Sequence, residues 1–483
     1  MADNVRALEK KFQPDSRYNN FGTFIRSIRV DGFRGIQDLE IPFEFPVIAI
    51  SGLNGSGKST IGQICLSGYK ETVAQSGYKR FYVRDFFPAS AADPDPFTKT
   101  ASVIFSYETE NFENPKEATV RRAGSRWRGY KRQPERACFY VGFTFYIPKV
   151  ERKDVSIYQG SAITLTKPRL IDDEVRKKVG RILGQQYDEL HFQGIRHGKK
   201  SGELGVAARF GYRYSENNMG FGEGRVLYLV DLLENSPEKS LFVIEEPETS
   251  LHEHAQHELA KYFLDVCQRR SHQIIISTHS DKILRALPSQ SRMFLHRDGS
   301  GVTLYPGLSA TRARALLSLG YSRDFFVFVE DDFAEALLSE MIRRVEPSLL
   351  KAICIVAVGN TDSVRTAVNL VTKIGKSCIA VRDADTGADP ASGLLSLPGS
   401  MPPEKEVFGH QGVKQYFVEQ FSIDIDNELA LRDVKDHHKI TEALADACHS
   451  RADHIKMLAI GKYLDELGEH AYSDLVNRIL HAA

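Results

Sequence analysis

At 483 residues the chain is too long for one ordinary core, and at roughly 100–200 residues per domain it should divide into two to four units. Hydrophobic residues at 42% and charged residues at 26% exclude a disordered or fibrous chain, and a formal net charge of zero excludes a global electrostatic pull toward nucleic acid or anionic membrane. The six cysteines are scattered without a CxxC pair, and neither a signal-peptide apolar region nor a run of about 18 apolar residues is present, so a cytoplasmic protein with reduced thiols and no membrane partner is expected.

After a polar tail at residues 1–20, FIRSIRVDGFRGIQDLEIPFE alternates apolar and polar residues on both sides of a glycine-containing turn, which predicts a strand pair. PVIAIS is a buried strand running into a glycine-rich loop, and TIGQICLSGYKETV has a helical period. Between about residues 100 and 165, ASVIFSYE, ACFYVGFTFYI and SIYQGSAITL predict antiparallel strands inserted into this domain, with a basic stretch between them. A helix is expected around Ile171 to Leu190 and another from about Gly224 to Leu233, before the strands LFVIEE and QIIISTHS. The strand pattern lapses over RDGSGVTLYPGLSATRARALLSLGYSRD, marking residues 301–324 as a short helical linker after a domain at 21–300. From 325 to 410 a βαβ rhythm restarts (FFVFVE, AEALLSEMIRRV, AICIVAVG, SVRTAVNLVTKI, SCIAVRDAD), and crossover helices of this kind imply a parallel sheet. Residues 411–483 are helical by period.

GLNGSGKS, Gly52 to Ser59, fits GxxxxGK[ST] in a strand-loop-helix context. Glycines there let the N–H groups of Asn54, Gly55, Ser56, Gly57 and Thr60 approach phosphate oxygens, Lys58 reaches the β- and γ-phosphates, and Ser59 ligates Mg2+. The strand Leu241 to Ile244 ends in Glu245 and Glu246, which alternation points to opposite sides, Glu245 toward the metal and Glu246 toward the attacking water. His279 ends the neighbouring strand, where it can sense the γ-phosphate, and Gly220, Gly222 and Glu223 precede a helix whose N-terminus can meet phosphate again. Taken singly, these elements also fit a glycine turn, a solvated acidic turn, a structural histidine and a helix cap.

In chain order, they resemble the P-loop, signature, Walker B and switch histidine of the ABC-type ATPases related to recombination and chromosome-maintenance proteins. The resemblance implies a homodimer or higher oligomer through the ATPase domains, with Gly222 and Glu223 acting in trans. The signature reads MGFGE without the usual serine, which implies slow hydrolysis.

In the second domain Glu330 follows an apolar strand, and Asp383 and Asp385 form a DxD expected on one strand face, suited to shared Mg2+ or Mn2+, though such pairs also form turns. With the Gly359-Asn360 turn between them, these residues resemble the Toprim domain of topoisomerases, primases and related nucleases. An ABC-type ATPase followed by Toprim resembles the OLD (overcoming lysogenization defect) family, which includes nuclease-ATPases of anti-phage defence. This implies an α/β chain in which ATP controls metal-dependent cleavage of DNA by Glu330, Asp383 and Asp385. VEDDFAEALL departs from the family pattern, with Asp331 for glycine and Ala334 where a second acid is expected, leaving Asp332 or Glu335 as substitutes. That departure keeps open an ATP-dependent sensor or scaffold with a degenerate Toprim that controls a partner effector protein. Arg121, Arg122, Arg126, Trp127, Arg128, Lys131 and Arg132 can contact nucleic acid on a hairpin, although a solvated charged hairpin fits the same residues. His252, His254 and His257 are expected to make helix contacts rather than bind zinc.

Overall fold

The computed structural model describes residues 2–70, 80–90, 92–93, 96–124, 126–147, 163–197, 200–299, 301–318, 325–373, 376–389 and 394–483. The chain forms two compact units, Met1–Leu308 and Ser309–Ala483. Among the described residues no helix is long and apolar enough to cross a membrane.

The N-terminal unit is built on a six-stranded sheet. From one edge inward, Cys138–Val141, Leu241–Glu245, Gln273–Ser277, Val47–Gly52 and Arg292–Asp298 lie side by side and run parallel, and Gly301–Pro306 closes the far edge antiparallel. Strands buried on both faces need near-continuous apolar runs, which LFVIE and VIAIS supply. Ile50, Ser277 and Glu245 lie in register, so the loops that follow all leave one edge of the sheet.

Several expectations are corrected here. The segment read as a polar tail is two helices, Ala2–Lys11 and Pro14–Phe21, whose Leu8, Phe12 and Phe21 are buried. The strands expected as one antiparallel insert divide. Phe97–Tyr107, Lys116–Ala123 and Arg126–Arg128 extend the N-terminal pair into a five-stranded antiparallel sheet, because Phe97–Tyr107 pairs along Ile25–Phe33. Cys138–Val141 instead joins the parallel sheet beside the acidic strand. Most of SIYQGSAITL lies outside the described residues; Thr164–Leu165 pairs with Glu189–His197. The helix expected to reach Leu190 stops at Leu183, where Gly184 takes the left-handed conformation that ends helices, and the hairpin Glu189–His197/Lys200–Arg209 follows. Residues 301–306 of the expected linker form a sheet strand, and the helix Ala310–Leu317 follows them.

The C-terminal unit holds four parallel strands in the order Ile353–Ala357, Phe325–Val329, Ser377–Arg382, Leu394–Ser396. Residues 411–483 do not stand apart from this sheet. Phe325, Val327 and Leu337 share one apolar core with Phe408, Phe417, Ile460 and Val476, because the amphipathic C-terminal helices bury their apolar faces on it.

Candidate functional sites

The P-loop follows from its glycines. Gly52 has φ +147 and a Cβ there would meet the Leu295 carbonyl at 2.3 Å, while Gly57, at φ +105, turns the chain into the helix Lys58–Leu66. Lys58 is buried and donates to the carbonyls of Gly52 at 2.9 Å and Leu53 at 3.0 Å. Burial pushes its pKa down, opposed by the charges of Glu246 and Glu248. Ser59 is exposed in the first helical turn, and Arg297, which the sequence did not single out, donates to the Gly55 carbonyl at 2.9 Å. A loop of forced glycines at a helix N-terminus with a buried lysine fits a nucleotide phosphate chain.

Opposite it, the acidic strand ends at Glu245, which accepts a hydrogen bond from Gln63 Nε2 at 3.1 Å. Glu246 lies beyond the strand at φ +43, and its carboxylate faces His279 Nε2 at 3.7 Å. Burial and the neighbouring Lys58 push the His279 pKa down, against the pull of Glu246. Glu248 accepts from the His279 N–H at 2.7 Å and the Thr278 hydroxyl at 2.8 Å, and burial raises its pKa. Glu245, Glu246 and His279 therefore converge on the sheet edge that carries the P-loop.

Gly222 and Glu223 do not precede their helix but lie in its first turn, since Phe221–Asn235 starts after the cap Gly220. Gly222 packs so closely on Ser250 that a Cβ would sit 2.4 Å from its carbonyl. The Glu223 carboxylate accepts from the Tyr187 and Tyr214 hydroxyls, each at 2.7 Å. One turn on, buried Arg225 donates to the carbonyls of Glu245 at 2.8 Å and Glu246 at 3.4 Å. This link between the signature helix and the acidic loop was missed in the sequence, where its signal was an arginine inside an apolar helical run.

In the C-terminal unit, Glu330 caps the strand Phe325–Val329 and Asp383 follows Ser377–Arg382, next to it in the sheet. The crossovers leave these two strands on opposite sides, so their C-terminal ends form the switch point at which open parallel sheets bind ligands. Glu330 Oε1 accepts from the Asp383 N–H at 3.2 Å and Oε2 from the Thr361 hydroxyl at 2.9 Å. Asp383 and Asp385 are not on one strand face. The strand ends at Arg382, both lie in the turn beyond it, and Asp383 is buried while Asp385 is exposed. Burial, then the charges of Glu330, Asp331, Asp385 and Glu404, push the Asp383 pKa up to about 8, and its Oδ1 is buried without a hydrogen-bond partner. An unsatisfied carboxylate among carboxylates fits a divalent cation held by oxygens.

Glu330, Asp331 and Asp332 border an open cleft of about 750 Å3, shared with Asn360, Glu404, His438 and Lys456. Glu404 and His438 carried no local sequence signal. Asp331 Oδ1 accepts from the N–H groups of Phe333 at 2.9 Å and Ala334 at 2.8 Å, capping the helix Asp332–Val345.

On the basic hairpin, Arg121, Arg126, Arg128, Lys131 and Arg132 are exposed. Trp127 is not a free stacking platform. Its ring packs 5.3 Å from that of Phe33 and 5.2 Å from that of Phe97, while Arg122 donates to the Phe97 carbonyl at 2.8 Å. His252 caps the helix Glu253–Arg270, with Nδ1 accepting from the Ala255 N–H at 3.4 Å.

A family model described as an AAA domain matches residues 27–129, which include the P-loop, and one described as an AAA ATPase domain matches residues 159–284, which include the acidic strand and His279. No curated protein matches. Similar solved structures include the SMC head domain from Thermotoga maritima, at 15% identity over 59% of this chain and 98% of that one, with a TM-score of 0.33. Another is the SmcHead bound to the C-winged helix domain of ScpA, at 17% identity over 58% and 97%, with a TM-score of 0.38. A third is the Smc head domain with an extended coiled coil bound to the C-terminal domain of ScpA, derived from Pyrococcus furiosus, at 14% identity over 61% and 99%, with a TM-score of 0.36. With matched segments on both sides of one nucleotide-binding edge, the N-terminal unit is a P-loop ATPase domain.

Proposed function

We propose that ATP binding and hydrolysis in the N-terminal unit control metal-dependent phosphodiester cleavage of DNA by a Toprim-like C-terminal unit. The observation that carries this reading is the meeting of Glu330 and Asp383 at the switch point of a parallel sheet, with Asp385 in the same turn. Glu330, Asp383 and Asp385 would hold Mg2+ or Mn2+, and such ions activate water and stabilise the leaving oxygen of a phosphodiester. In the ATPase unit Ser59 and Glu245 would hold Mg2+, and Glu246 would position the attacking water beside His279. Gly222 and Glu223 border a cleft with Ser250, Leu251 and His252, which suits their service to a second copy's nucleotide in a homodimer. The exposed Arg121, Arg126, Arg128, Lys131 and Arg132 would neutralise DNA phosphates, and the resemblance of the motif order to the OLD family supports a role in cytoplasmic anti-phage defence.

Plasmid incubated with the purified protein and Mg2+ or Mn2+ should be nicked or cut, and Asp383→Ala should abolish this. Equal cutting by both proteins would sink the assignment. A second reading, a sensor that controls a partner effector, is favoured by the use of Asp331 as a helix cap and by Ala334, which is 0% exposed where a second acid was expected. It predicts a co-purifying partner, no cleavage of any nucleic acid, and loss of the biological effect in Lys58→Ala.

A further inference from the structure

The cleft of the C-terminal unit has a second rim with different donor chemistry. His437–Lys439 forms a single 3-10 turn, capped by the Asp436 carboxylate, which accepts from the His438 N–H at 3.1 Å. The two imidazoles lie together, their ring centroids 4.0 Å apart. One ligand atom each from Glu404, His437 and His438 lies within 4.8 Å of the others. His438 Nδ1 is 3.2 Å from Glu404 Oε1 and 3.4 Å from Asp331 Oδ2. Glu404 is 3% exposed, and its Oε2 is buried without a hydrogen-bond partner.

These distances fit two uses of the cluster. A charge-assisted N–H to carboxylate bond draws in to about 2.7–2.9 Å. Two ligands each about 2.1 Å from a tetrahedral ion stand roughly 3.4 Å apart, as the edge of the tetrahedron. The 3.2 Å contact to Glu404 is at the long end of a hydrogen bond, and with the 3.4 Å contact to Asp331 it is also close to such an edge. Nor is Asp331 fully occupied by its helix, because Oδ1 makes the cap and Oδ2 faces His438. A carboxylate that is buried with one oxygen unsatisfied needs a neutralising partner, which an ion supplies. Imidazole nitrogens combined with carboxylates favour late first-row ions over Mg2+, which prefers an all-oxygen set.

We propose that Glu404, His437 and His438 hold a Zn2+-class transition metal on the rim of this cleft, with Asp331 beside His438, separate in chemistry from the all-oxygen group of Glu330, Asp383 and Asp385. The ion ties two parts of the unit together: the start of the helix Pro403–Gly409 and the turn His437–Lys439. It does not depend on the cleavage reading.

The test is a Co2+ titration of the full-length protein after chelator treatment. Stoichiometric Co2+ should give the intense visible bands of a tetrahedral site, displaced by Zn2+ but not by excess Mg2+. His437→Ala/His438→Ala should lose the bands, and His438→Asn, which keeps size and polarity, should weaken Co2+ binding roughly tenfold or more. The melting transition of the C-terminal unit, followed without added metal, reports that the variants fold. Asp383→Asn should keep the bands while losing any nuclease activity, so the two readings fail separately. Weak octahedral bands in the wild type, or full bands in the double variant, would overturn the site.

Discussion

Lys58 commits its ammonium to two carbonyls of its own loop at a depth where burial weakens its charge and Glu246 and Glu248 sustain it. Lys58→Ala should abolish ATP binding. At ATP about 100-fold above Kd the wild type gains roughly 2.7 kcal/mol, and the variant should show no nucleotide-dependent shift in Tm. His272, outside every motif, sets a pH dependence. Its Nδ1 accepts from the Ser240 N–H at 3.3 Å, so Nε2, 3.1 Å from the Leu233 carbonyl, carries the proton and donates. Burial pushes its pKa down to about 3 from 6.5. Between those values the unfolded chain takes up a proton that the folded chain refuses, so this stability is full above about pH 6.5 and lost as the pH falls toward 3. His272→Gln should therefore flatten the acid limb of a Tm-against-pH curve. Lys58, Glu246 and Glu330 were legible because short local patterns mark them. Glu404 was not, because its role arises from a contact to His438, 34 residues away, that no spacing encodes.

At the scale of elements, caps and links decide more than propensity. Asp331→Ala should cost about 1 kcal/mol by freeing two N–H groups of the helix Asp332–Val345, and Asp331→Asn should recover most of it, as urea unfolding of the C-terminal unit would show. Arg225→Ala should cost about 1–3 kcal/mol, since it leaves the Glu245 carbonyl without its donor, and should slow ATP hydrolysis because that carbonyl fixes the acidic loop. A steady-state ATPase assay beside a melting curve separates the two effects. Most parallel strands of both units are readable as apolar runs, and the P-loop helix as a period, but Arg292–Asp298 and Leu394–Ser396 are not. Partners were not. Cys138–Val141 reads like its antiparallel neighbours, yet pairs in parallel with Leu241–Ile244, which lies about a hundred residues away. The hairpin after Gly184 was taken in part for helix because the helical pattern before it runs on in sequence past the residue that ends it. The DxD motif was placed on a strand by spacing alone, but pairing with the next strand ends at Arg382, and the turn separates the two aspartates by depth.

At the scale of the whole molecule, each unit has its own sheet and core. Two thermal transitions are expected, and by mass action ATP should raise only the one belonging to the N-terminal unit. Calorimetry with and without nucleotide checks this, and a shift of both transitions by the same amount would show that the units melt as one. The chain supplies a means of telling them apart. Its single tryptophan, Trp127, is clasped by Phe33 and Phe97 in the antiparallel sheet of the N-terminal unit. Intrinsic fluorescence excited at the red edge is thus a private optical channel for the ATPase unit, and the unit holding Glu330 and Asp383 is dark in it. A denaturation curve followed by emission and again by circular dichroism would resolve the two unfolding events without a label.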